Sequence, residues 1–133
     1  MANVMTVEVV SPEETLFSGE ASMVITRTMG GGEIAFLPGH SAFLGALQEN
    51  HTRIFLTDGS IEDVAVHGGF VEVSSNKVSI LSDGAELGSR IDIGRARSAL
   101  ERAEERLRHE HDAEAVSALG RAHARLNAAG VTV

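Results

Sequence analysis

The sequence predicts an α+β protein, with an N-terminal antiparallel β-sandwich over residues 1–88 and a C-terminal antiparallel two-helix hairpin over residues 89–133. Three observations carry that reading. Short β-branched runs separated by Gly, Pro and Asn turns fill the first part of the chain, the pattern of sandwiches and barrels. Near Ser89 the apolar spacing changes to the alternating threes and fours of a helix face. Charge divides close to the same point: residues 1–91 carry the whole net charge of −8, and residues 92–133 are balanced.

The strands follow one another without a helical pattern between them, which disfavours a parallel α/β sheet. Val4 to Val10 is a β-branched run ended by Ser11 and Pro12. Leu16 to Glu20 turns into the run Ala21 to Arg27, and Gly30, Gly31 and Gly32 read as a loop. Glu33 to Leu37 is a short strand closed by Pro38 and Gly39. The runs Arg53 to Thr57 and Ile61 to Val66 flank Asp58-Gly59, a strong hairpin signal. Gly69 to Val73 and Lys77 to Leu81 flank a turn at Ser74, Ser75 and Asn76.

In the second part, Ile93, Ala96, Leu100, Ala103 and Leu107 mark a narrow apolar seam, and Ala115, Leu119, Ala122 and Leu126 repeat it. Asp92 and Asp112 sit at N-cap positions, Glu104 is placed to pair with Arg108, and Gly130 can end the second helix. The short link His109-Glu110-His111 makes the helices antiparallel. Seams this rich in alanine bury little area, and helices of about 17 residues are marginal alone. The hairpin therefore needs a surface to lean on. Two readings stand: a hairpin fixed on its own sandwich, or one that chooses between surfaces.

Composition excludes several classes of function. The acidic balance repels phosphate backbones and anionic lipid, so neither nucleic acid nor a bare membrane is an expected partner. Without cysteine there is no disulfide, thiolate zinc site or thiol nucleophile. No apolar run approaches the roughly 20 residues that span a bilayer, and residues 1–5 lack the pattern of a signal peptide. No GxSxG elbow occurs, the six histidines lack ligand spacing, and the tri-glycine loop is followed by Glu33 rather than by the Lys of a P-loop. Neither a catalytic residue nor a metal site is expected.

One constellation is chemically suggestive. Glu86, Asp92 and Arg95 cluster at the sandwich–helix junction, and Arg121 and Arg125 lie one turn apart on the second helix. If the hairpin folds back, arginine forks suited to phosphate would meet carboxylates able to accept from an adenine amine. Read from the residues alone, Asp92 is a cap and the arginines are solvated helix faces.

The motif order resembles the epsilon subunit of bacterial and chloroplast F-type ATP synthases. Ser11-Pro12-Glu13 followed by Leu16-Phe17-Ser18-Gly19-Glu20 is similar to its opening. Glu33-Ile34-Ala35-Phe36-Leu37-Pro38-Gly39-His40 is similar to its Gly-Glu-x-Gly-Ile-x-Pro-Gly-His segment, with Ala35 at a usual glycine. Gly68 to Val73 and Asn76 to Leu81 resemble its late strands, and Ile91-Asp92-Ile93-Gly94-Arg95-Ala96 its Ile/Leu-Asp-x-x-Arg-Ala element. The resemblance implies a non-catalytic rotor component of the proton-translocating enzyme. Its expected partners are the gamma subunit, the c-ring and, through an extended hairpin, the catalytic beta and alpha subunits. It implies that Glu33, Pro38 and His40 belong to the region facing the c-ring and gamma, and that the helices restrain ATP hydrolysis. It also implies that Glu86, Asp92 and Arg95, with Arg121 and Arg125 more loosely, hold a regulatory ATP; no cofactor is required. The expected location is peripheral, on the cytoplasmic face of a bacterial cell membrane or the stromal face of a thylakoid, through the complex alone. The alternative from the residues is a ligand-binding β-sandwich whose hairpin is a dimerisation handle.

Overall fold

A computed structural model describes residues 3–132; Met1 and Ala2, the first residues of the segment read for a targeting signal, and Val133 lie outside it. The described residues form nine strands followed by two helices. These are β1 (Met5–Val10), β2 (Thr15–Thr28), β3 (Gly32–Phe36), β4 (Phe43–Leu47), β5 (Asn50–Leu56), β6 (Ile61–Val66), β7 (Gly69–Ser74), β8 (Lys77–Leu81) and β9 (Ala85–Leu87). A 3-10 turn at Gly88–Arg90 leads to α1 (Ile93–His109) and α2 (Ala113–Ala128). No described helix is long and apolar enough to cross a membrane.

The sandwich is one sheet folded over itself. Strand β2 pairs antiparallel with β1 through its first half, and with β3 and β5 through its second. One layer is thus β2–β1–β8–β7–β4, and the other is β3–β2–β5–β6–β9. The run Leu16 to Arg27 is therefore a single strand serving both layers. It bends where an extra residue, Ser22, breaks the register between Ala21↔Leu56 and Met23↔Phe55. The hydroxyl of Ser22 donates to the Phe55 carbonyl at 3.2 Å and steadies the bulge. All pairings are antiparallel except β1 with β8, which run parallel from Thr6↔Lys77 to Val10↔Leu81.

Alternation along the strands places Val7, Val9, Val24, Phe36, Ile54, Val64, Val66, Val71, Val78 and Ile80 between the layers, each fully buried. One polar knot sits among them. The hydroxyls of Thr26 and Thr52 lie 2.8 Å apart and both reach Asn50 Oδ1, at 3.2 and 2.7 Å, so their two hydrogens serve three contacts, and Asn50 Nδ2 donates to the Gln48 carbonyl at 2.9 Å. The β7–β8 turn places Ser75 and Asn76 at positive φ, 48° and 62°, as a two-residue I′ hairpin requires.

Two strands escape a sequence reading. β4 contains Gly45, and β9 has only three residues. Both helices begin at the expected caps: Asp92 accepts from Arg95 N at 3.0 Å, and Asp112 from Ala115 N at 2.7 Å. Gly130 ends α2 with φ +87°, and the next amide, Val131 N, reaches back to the Leu126 carbonyl. The expected Glu104–Arg108 pair gives way to Glu105, which takes Arg108 one turn on and also receives His109 Nε2 at 2.9 Å. A carboxylate that gathers two donors outcompetes one that offers a single contact.

Candidate functional site

The hairpin leans on the second layer through α2, and the docking face is polar. Pairing and alternation put Arg53 and His51 of β5, Asp63 and Ala65 of β6, and Glu86 of β9 on one outer face, with His67 just past the end of β6. The apolar contact there consists of Ala65, Ala124 and Ala128, with Ile91 at its edge. Helix α2 therefore carries two stripes. Ala115, Ala122 and Leu126, on the predicted seam, are buried in the hairpin, whose two helices pack together. Gly120, Ala124 and Ala128 face the sheet. Small residues at every fourth position allow close approach: a Cβ at Gly88 would lie 2.2 Å from the Ala128 carbonyl oxygen.

Glu86 is the hub of this junction. Its Oε2 accepts from Arg125 Nε at 2.6 Å and from His67 Nε2 at 2.9 Å. Among the described residues, the Arg125–Glu86 bond is the sole side-chain hydrogen bond or ion pair joining the two helices to the sandwich. Partial burial raises the Glu86 pKa, but the hydrogen bonds from His67 and Arg125 and the Arg125 charge outweigh it and hold the carboxyl below its ordinary value. His67 shifts down. Burial disfavours its cation most, Glu86 opposes that, and Arg125 and Arg121 add repulsion. The His67 side chain is 9% exposed.

Beside the hub lies a cleft of about 340 Å³ lined by Glu86, Arg90, Asp92, Arg95, Arg102 and Arg125, with Ile91, Ala96 and Ala99 as its apolar floor. Four of the five residues read from the sequence, Glu86, Asp92, Arg95 and Arg125, thus share one cavity. Arg121 does not line it. Its guanidinium is held by Glu114 at 2.7 Å, and it faces a neighbouring groove between the helices. Arg90 and Arg102 escaped the sequence reading. The signal for Arg102 was available, since Arg95, Ala99 and Arg102 fall at i, i+4 and i+7 on one face of α1. Chemically, a pocket with four guanidinium groups and two carboxylates suits a polyanion that also carries a hydrogen-bond donor. Asp92 spends one oxygen on its cap, leaving the other able to accept.

Glu33, Pro38 and His40 do not gather. Glu33 lies near the start of β3 and pairs with Arg53 at 3.3 Å, on the sheet face that receives α2. Pro38 and His40 follow the other end of that strand. The His40 ring stands edge-on to Phe36 at 4.9 Å, and Gly39 N donates to Asn76 Oδ1 at 3.0 Å. Three of the large exposed apolar side chains, Leu44, Phe70 and Leu81, share the outer face of the first layer. Among the described residues no three His, Asp or Glu side chains are grouped to hold a metal ion.

The β-sandwich and the helical hairpin are the two parts of the delta/epsilon class of ATP synthase subunits. Residues 4–88 match the family of ATP synthase, Delta/Epsilon chain, beta-sandwich domains, and residues 89–130 match the corresponding long alpha-helix domains. An ATP synthase epsilon chain of Desulfitobacterium hafniense is 45% identical over 132 residues, covering 97% of this chain and 98% of its own. One from Streptomyces griseus is 40% identical over 131 residues, 98% and 99% of the two chains. A chain in the cryo-EM structure of Euglena gracilis mitochondrial ATP synthase, comprising OSCP, F1 and c-ring, shares the fold. Its TM-score is 0.82 at 22% identity, over 97% of this chain and 82% of that one. The chain belongs to the ATP synthase epsilon-chain family, and is a non-catalytic subunit of that complex.

Proposed function

We propose that the chain sits in the central stalk, with the sandwich as its fixed part and the hairpin as a brake on ATP hydrolysis that a bound nucleotide holds docked. The observation that carries this is the weakness of the docking beside an arginine-lined cleft. Alanine side chains bury little area, and a partly exposed ion pair contributes at most about 1 kcal/mol. Helices so lightly held can leave the sandwich and lie along other subunits. The gamma subunit fits the exposed Leu44, Phe70 and Leu81 face, the c-ring fits the Pro38–His40 loop, and the extended helices would reach the catalytic beta and alpha subunits. The complex would thereby hold the chain peripherally at the cytoplasmic face of the membrane.

ATP fits the cleft by its donor set. Arg90, Arg95, Arg102 and Arg125 come from the 3-10 turn and from both helices, so a triphosphate among them would bridge elements that separate when the hairpin opens. The free oxygen of Asp92 would accept from the adenine amine. A ligand that prefers the docked form shifts the equilibrium by its difference in affinity. At millimolar ATP, a millimolar dissociation constant contributes about 0.4 kcal/mol and a micromolar one about 4 kcal/mol, so affinity decides whether the site is a sensor. Calorimetric titration of ATP into the isolated chain tests this. Heat of binding in the wild type, lost in Arg102→Ala and kept in Arg121→Ala, is expected. No binding at millimolar ATP leaves Asp92 as a cap alone.

A further inference from the structure

The Glu86 hub contains a histidine that neither the assembly nor the nucleotide reading uses. We propose that His67 makes hairpin docking proton-sensitive, so that acidification releases α2 from the sandwich. This rests on the reading of the hairpin as detachable.

The argument starts from which nitrogen holds hydrogen. A carboxylate oxygen only accepts, so His67 Nε2, 2.9 Å from Glu86 Oε2, carries the hydrogen of the neutral ring. The lone pair is then on Nδ1, which is buried and has no protein partner. A second proton would create a buried N–H with nothing to accept it, an expensive state. It would also add a positive charge to a carboxylate already neutralised by Arg125 at 2.6 Å.

The surrounding charges agree. From α2, Arg125 and Arg121 both repel an imidazolium at His67. From β9, Glu86 attracts it, but that charge is shared with Arg125. In the β8–β9 turn, Asp83 lies beside Gly68 and is exposed to solvent. On β6, Asp63 is four residues away, about 13 Å along the strand, and is occupied by His51 at 2.6 Å. When α2 leaves, both arginines leave with it and Glu86 becomes free to stabilise His67 as a cation. The open form therefore binds the proton more tightly. Docking is at full strength above the ordinary histidine value of about 6.5 and weakens as pH falls below it. Glu86, itself held low, stays ionised through that window.

The chain has no cysteine, so dyes on Thr57→Cys in the β5–β6 turn and Val116→Cys on exposed α2 report the separation of the two parts. Between pH 7.0 and 5.5 the docked-to-open ratio is expected to fall by up to about tenfold per pH unit, the limit for one proton. His67→Gln, which keeps a donor and cannot titrate, is expected to flatten the profile. In case that variant distorts the junction, the His67 ring resonances of the dye-free chain should titrate together with opening measured by hydrogen exchange in α2. An unchanged profile in His67→Gln, or a His67 titration separate from opening, overturns the proton role alone. A hairpin that stays docked at every pH, and in Arg125→Ala as well, overturns the detachable hairpin along with it.

Discussion

At the scale of single residues, the structure separates groups that hold the molecule together from groups that bias it. Asn50 belongs to the first kind. Its side-chain carbonyl is the acceptor for the buried threonine pair, so Asn50→Ala strands a hydroxyl donor that the other threonine cannot also satisfy, and a loss of about 1–3 kcal/mol is expected in urea unfolding followed by circular dichroism. Asp92 is of the first kind as a helix cap and would be of the second only under the nucleotide reading. Asp92→Ala removes a cap worth about 1 kcal/mol, which lowers helix melting without nucleotide. The nucleotide reading is therefore tested by the additional thermal shift that ATP produces, expected in the wild type and absent in this variant. Asp92, Glu86, Arg95 and Arg125 could be read from the sequence because junction residues are forced together once the hairpin folds back. His67 could not, since its meaning depends on a pairing with Glu86 across β6 and β9. A strand as short as β9, with glycines on either side, leaves no periodic trace. Arg121 lies outside the cleft for a related reason: spacing puts it one turn from Arg125, but Glu114 holds it beside a neighbouring groove.

Among the elements, α2 decides how the two parts meet. Its seam toward α1 was legible in Ala115, Leu119, Ala122 and Leu126. Its sheet-facing stripe was not, because Gly120, Ala124 and Ala128 carry too little apolar bulk to register as a hydrophobic face. Their function is closeness, and that gives a prediction independent of charge. Gly88→Ala places a methyl group against the Ala128 carbonyl and must lift the end of α2. Faster proteolysis within residues 113–128 is expected, with the sandwich left intact. Equal cleavage rates in variant and wild type would mean that the junction yields without opening.

For the whole molecule, the division of labour follows from where the buried side chains are. The large interior lies between the sheet layers, and the hairpin meets the sandwich through a small alanine contact. A chain ending at Ser89 is expected to fold and to assemble with the rest of the ATP synthase. The complex it forms should hydrolyse ATP faster than the one with the full chain, measured at several salt concentrations because mixed-charge helix faces respond to screening. Loss of assembly would contradict the sandwich as the docking part, and unchanged hydrolysis would contradict the brake. The strand shared by the two layers has a mechanical consequence for a part that turns. Layers held only by packing could slide when opposite faces are pulled in different directions. Here β2 crosses from one layer to the other as unbroken backbone, bent at Ser22 and hydrogen-bonded on both sides of the bend. In the proposed stalk position, a twisting load entering through the Leu44–Phe70 face would pass to the far layer along covalent bonds, and the subunit would behave as a stiff washer on its shaft.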